Sequence, residues 1–331
     1  MINIVDRTLS CLDSYDISCE DILRFIDLLV DCDVTKIEIS KHYFDKIRHS
    51  FYNSKSKATF VLRISNLEDV KNYPEIDNFI CDKIGNKEVM AEININDVHD
   101  SRILNQYVGI PLRITGLDGL FHENIADSFK YLKNSFSDRK KNTLEFCAGD
   151  SLHCATALAM EWIYHLCGNT VVTSVGGIGG FAAFEEVLIG CRHLFRRHPN
   201  TNYSNLPKLR KLLSSITDEK IEMCAPVIGE GIFAVETGIH IGGILKHPKC
   251  YELFSPESVG LKRKFVYGKF SGKSGVRSKL LELNLQVPDK LLEEITARIK
   301  NISQEIESIL TDEQVREIAL EVMENNCALS V

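Results

Sequence analysis

The feature that most constrains the fold is an alternation of short apolar segments with amphipathic or connecting segments through the first half of the chain. Eight apolar segments have the length and composition of buried β-strands. Eight strands, each followed by a crossover, is the number that a closed (β/α)8 barrel requires. The predicted strands are residues 3–9, 36–40, 59–65, 79–84, 89–95, 111–115, 144–148 and 171–175.

Amphipathic helices are predicted between and after these strands. The first places Ile22, Ile26 and Leu29 on one face behind an acidic first turn. The last begins near Asp312, which we interpret as its N-cap. The predicted helices are residues 19–30, 184–195, 208–216, 276–283, 289–309 and 312–324.

The predicted barrel is short. It occupies fewer than 200 residues, whereas the fold typically takes about 250, and residues 65–73 leave little room for a full helix. We therefore predict an α/β chain with a trimmed, degenerate (β/α)8 TIM barrel at residues 1–198. A linker subdomain follows at 199–257, and a small helical subdomain at 258–331.

Composition excludes several classes of protein. The net charge of -7 and the pI of about 5.8 argue against a nucleic-acid binder, which would carry a basic face. Asp6 and Arg7 interrupt the first apolar run, and no apolar stretch is long enough to span a bilayer, so neither a signal segment nor membrane association is expected. The 11 cysteines contain no CxxC pair, which favours a reduced, cytoplasmic protein.

A glycine-rich stretch at residues 229–275 contains His240 among small residues. A lone histidine is more often structural than catalytic. Residues 268–274 resemble a phosphate loop, but three residues separate the glycines where that motif has four. A basic cluster in this region is compatible with coenzyme A phosphates or with a solvated face. Its members are Lys262, Arg263, Lys264, Lys269, Lys273, Arg277 and Lys279.

The order of residues in this stretch resembles the linker region of the homocitrate synthase and isopropylmalate synthase family, and is most similar to the nitrogen-fixation type. The resemblance implies a TIM barrel and a metal-dependent Claisen condensation of acetyl-CoA with a 2-oxo acid. The matching residues are 236–240 (ETGIH), 243–246 (GILK), Pro248, 251–252 (YE), Phe254, 256–257 (PE), 259–260 (VG), 268–269 (GK) and 271–272 (SG).

The family's barrel motifs are altered here. Ser10 and Cys11 stand where D-T-T-L-R-D-G-E has the catalytic Arg and the metal-binding Asp. Cys147 and Gly149 replace the two histidines of H-x-H, and residues 177–186 omit the catalytic Glu of the third motif. We therefore predict no metal in this chain.

Two alternatives concern the same region. Cys147, His153 and Cys154 could form a soft metal cluster, but His153 and Cys154 would point apart on a helix. Residues 177–182 also fit a dinucleotide fingerprint, although no acidic residue follows about 20 positions later to bind the ribose.

The resemblance assigns catalytic roles to His240, Tyr251 and Glu236. In homocitrate synthases a His and a Tyr from this region enter the other subunit's active site. The elements that the family uses in trans are thus present, whereas those it uses in cis have changed. The local departures from the family pattern are Val235, Gly242 and Phe270.

This pattern resembles the omega subunit of a split homocitrate synthase of nitrogen-fixing clostridia. The resemblance predicts an alpha-type partner with a full barrel, which would hold Mg2+ or Mn2+ and 2-oxoglutarate and share the acetyl-CoA site. Two alternatives stay open. One is a stabilising or regulatory pseudoenzyme, and the other is a subunit of an isopropylmalate or citramalate synthase.

Overall fold

The computed structural model describes most of the chain and divides it into two compact units, Met1–Gly229 and Glu230–Val331. Among the described helices, none is long and apolar enough to cross a membrane. The described residues are 2–51, 58–82, 85–98, 106–107, 109–122, 124–135, 144–165, 170–196 and 203–328.

The first unit contains a closed barrel of parallel strands, which confirms the predicted fold class. Each strand pairs with the next along the chain, and the eighth returns to the first, where Asn3 pairs with Thr170 and Asp6 with Thr173. The strands are β1 (Asn3–Asp6), β2 (Lys36–Ser40), β3 (Thr59–Arg63), β4 (Asn78–Cys81), β5 (Val89–Ile95), β6 (Leu112–Gly116), β7 (Leu144–Ala148) and β8 (Thr170–Thr173).

Helices cover the barrel unevenly, as the short crossovers predict. A 3₁₀ helix, Leu67–Asn72, replaces a full helix between β3 and β4. The helices of this unit are α1 (Thr8–Cys11), α2 (Cys19–Asp31), α3 (Lys41–Phe51), α4 (Ile125–Ser135), α5 (Ala155–Tyr164), α6 (Phe184–Phe195) and α7 (Leu206–Thr217).

Helix α2 shows how the sequence builds this outer layer. The Ser18 hydroxyl accepts the Asp21 backbone N–H and caps the helix, whose first turn is acidic. Ile22, Phe25 and Leu29 are fully buried on its inner face. Burying each of these side chains contributes about 1.5–3 kcal/mol.

The second unit is mainly helical. It contains β9 (Ala234–Val235), α8 (Gly238–Lys246), β10 (Lys264–Phe265), α9 (Lys273–Glu282), α10 (Leu292–Glu305) and α11 (Asp312–Ala328). Strands β9 and β10 pair in parallel. Apolar residues of α9, α10 and α11 form a shared core, among them Val276, Ile295, Ile299 and Val322.

Several predicted helix ends in this unit are corrected by the structure. The helix predicted at 289–309 opens with a 3₁₀ turn and ends at Glu305, since Glu307 has a left-handed backbone (φ 51°). The cap of α11 is Thr311 and not Asp312. The Thr311 hydroxyl accepts the Gln314 N–H at 3.3 Å, and the Gln314 side-chain oxygen accepts the Thr311 N–H at 2.8 Å.

The compact units meet in sequence at Gly229 and Glu230. Helix α7, which lies in the predicted linker subdomain, packs against α2 within the barrel unit. The predicted subdomain boundaries at residues 198 and 257 stay predictions.

Candidate functional site

Charged side chains fill the interior of the barrel. Arg113 on β6 forms ion pairs with Glu145 on β7 at 2.8 Å, with Glu92 on β5 at 3.1 Å and with Glu38 on β2. Strands β6 and β2 are not neighbours, so the contact with Glu38 crosses the barrel. Arg63 on β3 joins the network through Glu38 and Glu92, both at 2.8 Å.

These groups are ionised although they are buried. Burial alone would raise the pKa of Glu38, but Arg113, Arg63 and Arg7 hold it well below its usual range. Arg113 likewise keeps the pKa of Glu145 low against the effect of burial. This network was not predicted from the sequence. Its signal there is a charged residue within each of five largely apolar strands, namely Glu38, Arg63, Glu92, Arg113 and Glu145.

Arg7 directly follows β1 and contacts Cys147, which stands where the resembled family has a metal-binding histidine. Its Nη1 atom donates to Cys147 Sγ at 3.1 Å, and its guanidinium lies 4.1 Å from the centre of the Phe181 ring. Burial raises the pKa of the Cys147 thiol, and it raises that of Cys11 to about 12. Both cysteines are therefore neutral thiols near pH 7, and Cys147 Sγ accepts its hydrogen bond from a cation, the Arg7 guanidinium.

A side chain at position 149 would have to displace the Asp118 carboxylate. A Cβ atom built on Gly149 would overlap the Asp118 carboxylate, with only 2.8 Å to Cγ and 2.9 Å to Oδ2. The Asp118 carboxylate is held there because its Oδ2 atom accepts the Ser151 N–H at 3.2 Å. A cationic arginine beside Cys147 and a position 149 that carries no ligand side chain do not fit a divalent cation.

The alternative cluster of cysteines and histidine is not assembled. His153 Nδ1 lies 3.8 Å from Asp150 Oδ2, and Cys154 Sγ donates to the Leu152 carbonyl oxygen. In the part of the chain that the structure describes, no group of three or more His, Cys, Asp or Glu side chains is arranged to hold a metal ion.

A cavity of about 460 Å3 lies beside the turn that follows β8. Its lining includes Glu185, Glu186, Glu219 and Glu222. With four carboxyl groups against Lys220 and His153, this predominantly acidic lining does not favour the phosphates of coenzyme A. Because the strands close into a barrel, the glycines at 177–182 are also not part of a dinucleotide-binding fold.

His240 lies on α8, and local packing orients it outward. Ile241 and Ile244 are buried on the inner face of the helix. A Cβ on Gly238 would lie 3.2 Å from the Gly272 backbone, so the first turn of α8 approaches the start of α9 closely. The side chain of His240 is consequently exposed.

Tyr251 lies next to His240, with 5.7 Å between the ring centres and 54° between the ring planes. The tyrosine is 48% exposed. Its neighbour Glu252 binds Arg263 through two hydrogen bonds of 2.5 and 2.8 Å. This pair joins the residue after Tyr251 to the segment that leads into β10. The structure thus brings together two of the three predicted site residues as an exposed imidazole and phenol.

Glu236 makes a different contact. Its Oε1 atom accepts the Phe270 backbone N–H at 2.9 Å, and its side chain lines a cavity of about 430 Å3 with Lys269 and Ser303. The Ser271 hydroxyl accepts the Gly268 N–H at 2.8 Å. The Glu236 carboxylate and the Ser271 hydroxyl already accept hydrogen bonds from two backbone amides of the 268–274 loop. The loop therefore does not form a phosphate cradle.

Several members of the basic cluster are paired with carboxylates. Lys279 is 4% exposed and lies 2.7 Å from Asp312. Arg277 and Lys273 pair with Asp289 and Glu293 at 2.9 and 2.8 Å. These pairs favour a structural and solvated role for this part of the cluster.

The comparisons with known proteins agree with one another in the relatives that they find. Residues 227–308 match the family described as "Homocitrate synthase post-HMGL domain-like". The chain is 30% identical over 309 residues to "Homocitrate synthase, omega subunit" of Clostridium pasteurianum, covering 86% of this chain and 85% of that protein. It is 27% identical over 319 residues to "2-isopropylmalate synthase" of Methanocaldococcus jannaschii, covering 90% of this chain and 57% of that protein.

Solved structures support the fold alone. The HMG-CoA lyase of Bacillus subtilis superposes with a TM-score of 0.52 at 15% identity, covering 66% of this chain and 95% of that chain. The lyase of Pseudomonas aeruginosa gives a TM-score of 0.51 at the same identity.

Proposed function

This chain belongs to the homocitrate synthase family, and we propose that it is a subunit of a heteromeric homocitrate synthase that donates catalytic residues to a partner's barrel. The assembled enzyme condenses acetyl-CoA with 2-oxoglutarate and water, and releases homocitrate and CoA. The partner is an alpha-type subunit with an intact barrel. Alone, this chain is inactive.

The observation that carries the proposal is the contrast between two sites on one chain. Arg7 contacts Cys147, and Asp118 lies against Gly149, at the two positions where the resembled family has its metal-binding histidines. His240 and Tyr251, in contrast, lie side by side and exposed. The name of the Clostridium relative, an omega subunit, adds support for a second subunit.

His240 is the proton-transfer residue in this proposal. Imidazole exchanges protons near neutral pH, and general acid–base catalysis typically contributes 10²–10⁴-fold to a rate. The methyl group of acetyl-CoA loses a proton before it attacks the ketone of the 2-oxo acid. The Mg2+ or Mn2+ that polarises that ketone belongs to the partner. Tyr251 orients the imidazole, and its hydroxyl enters the same site.

The proposal is tested by assaying CoA release that depends on acetyl-CoA, 2-oxoglutarate and Mn2+ or Mg2+. We expect activity from the mixture with a full-barrel partner and none from this chain alone. His240→Ala should lower turnover by about 10²–10⁴-fold without preventing assembly. His247→Ala is the matched control, because it removes another exposed imidazole at the end of α8.

Two results would contradict the proposal. A partner that is equally active without this chain would make it a stabilising or regulatory subunit. Equal losses in the two histidine variants would indicate damage to α8 and not the loss of a proton carrier. The same mixture assayed with 2-oxoisovalerate and pyruvate tests the isopropylmalate and citramalate alternatives, which the similarity to 2-isopropylmalate synthase keeps open.

A further inference from the structure

We infer that Gly243 is a positioning residue that seats the Tyr251 ring against α8 and thereby fixes the imidazole of His240. The inference rests on the proposed function, because it concerns the same pair of side chains. Gly243 follows His240 by three positions, so the two residues lie on neighbouring turns of one helix face.

The surroundings of Gly243 show close contact with the tyrosine. A Cβ atom built there would overlap the Tyr251 hydroxyl, Cζ and Cε2, inside the 3.0 Å separation that real Cβ atoms keep. The ring therefore lies directly on the helix backbone. Any side chain at position 243 must displace it.

Gly242 provides an internal comparison. A Cβ atom built at Gly242 has no neighbouring atom within 4 Å. Both glycines lie inside α8, and neither has the positive φ that would demand glycine. Alanine stabilises a helix interior by about 1 kcal/mol relative to glycine. The helix backbone thus does not require Gly243, whereas contact with Tyr251 does.

The chain around Tyr251 is fixed independently of its ring. The Tyr251 N–H donates to the Pro248 carbonyl oxygen at 2.9 Å, and Glu252 is bound by Arg263. With its backbone held there, the phenol ring lies over Gly243 and beside the His240 ring on α8. The ring is still half exposed, so its seat on Gly243 contributes orientation more than buried area.

The test compares Gly243→Ala with Gly242→Ala in this chain alone and in the mixture with a full-barrel partner. In the isolated chain, the ring protons of His240 are followed by NMR and assigned by the loss of one imidazole signal in His240→Gln. We expect Gly243→Ala to shift the His240 signals as Tyr251→Ala does, because both move the neighbouring ring away. Gly242→Ala should leave them in place.

In the mixture, Gly243→Ala should lower kcat by about 10- to 100-fold with little change in the KM for 2-oxoglutarate, since a displacement of about 1 Å can cost that much. In the Tyr251→Ala background the same substitution should cost nothing further. A persistent loss there would overturn the inference by showing damage to α8 itself.

The two proposals fail in different ways. Unchanged His240 signals in Gly243→Ala overturn the positioning role whatever the activity. Unchanged turnover in His240→Ala overturns the proposed function, even if the signals shift. A loss of turnover in His240→Ala together with normal turnover in Gly243→Ala overturns the positioning role alone.

Discussion

Glu185 illustrates how burial changes the chemistry of one carboxyl. It lies in the first turn of α6 at 2% exposure, and its Oε2 atom accepts the Gly176 N–H at 3.0 Å. Burial raises its pKa to about 7, against that hydrogen bond and with help from the charges of Glu186 and Asp6. An unfolded glutamate has a pKa of about 4.3. The folded barrel therefore binds a proton that the unfolded chain releases.

This raised pKa predicts a pH dependence of barrel stability. The contribution of Glu185 is fully present below about pH 4 and is lost as the pH rises through about 7. Glu185→Gln keeps an acceptor for the Gly176 N–H and cannot ionise. Between pH 5 and pH 8, the free energy of unfolding of this variant should therefore fall less than that of wild type. The difference should be on the order of 2–3 kcal/mol.

Urea unfolding followed by Trp162 fluorescence measures this effect. Trp162 is the only tryptophan of the chain and is fully buried in the barrel unit, 4.7 Å from the Phe146 ring. The pKa of Asp6 is also raised to about 7. Because Asp6 is present in both proteins, its contribution to the pH dependence of unfolding largely cancels when the two are compared. Identical pH slopes for wild type and variant would contradict the prediction.

The sequence locates such residues only in part. The neighbouring Glu185 and Glu186 are identical in type, and their pattern does not say which carboxyl faces inward. The sequence also suggests Tyr251 and His240 by resemblance, but their contact depends on Gly243, eight positions before the tyrosine. The spacing of residues along the chain does not show that Gly243, Tyr251 and His240 pack against one another.

At the scale of elements, α11 begins with a capping box. Thr311 and Gln314 exchange hydrogen bonds between side chain and backbone, which satisfies two N–H groups at the start of the helix. Thr311→Ala should destabilise this turn by about 1 kcal/mol, and Thr311→Ser should retain the cap.

Hydrogen exchange of the first amides of α11 tests the cap. About 1 kcal/mol corresponds to roughly fivefold faster exchange by local opening in Thr311→Ala. The serine variant is the control for the loss of the methyl group. Equal exchange rates in wild type and Thr311→Ala would show that the cap contributes nothing to this helix.

The type of each element is predictable here because the spacing of apolar residues in the sequence reflects which side chains are buried. The strands at 36–40, 89–95 and 144–148 coincide with β2, β5 and β7, since each has apolar side chains enclosed by the barrel and the helices. Boundaries depend on finer chemistry. Asp312 and Thr311 are both suitable caps, and the glutamine three residues after Thr311 decides between them. At the end of α10, the Ser303 hydroxyl donates to the Ser308 carbonyl oxygen, and the Ser308 N–H donates to the Ser303 carbonyl oxygen at 3.2 Å in place of the pairing that would continue the helix.

At the scale of the whole molecule, the barrel unit combines an intact fold with an altered interior. Arg113 balances carboxylates from three strands, and leaving any of them unpaired in the interior would cost several kcal/mol. Such a network stabilises a closed barrel only when its charges are matched. The interior is thus committed to internal ion pairs, and a bound cation would have to compete with Arg7 for the same carboxylates, Glu38 and Glu92.

This commitment predicts that restoring the metal ligands alone will not restore a metal site. The triple substitution Cys11→Asp, Cys147→His and Gly149→His rebuilds the family's ligand set. Arg7 still places a positive charge at position 147, and Asp118 still occupies the space for a side chain at position 149. We expect the triple variant to bind Mn2+ no more tightly than wild type, as measured by calorimetry and by the Mn2+ EPR signal.

Adding Arg7→Thr and Asp118→Gly should then permit binding, because the first removes the competing cation and the second opens the space at 149. Arg7→Thr with Asp118→Gly in the otherwise wild-type chain is the control, and it should bind no Mn2+ because the ligands are absent. Stoichiometric Mn2+ binding by the triple variant would contradict the argument, since it would mean that Arg7 and Asp118 move aside at little cost. Binding only in the fivefold variant would show that Arg7 and Asp118, as much as the missing ligands, prevent this barrel from binding Mn2+.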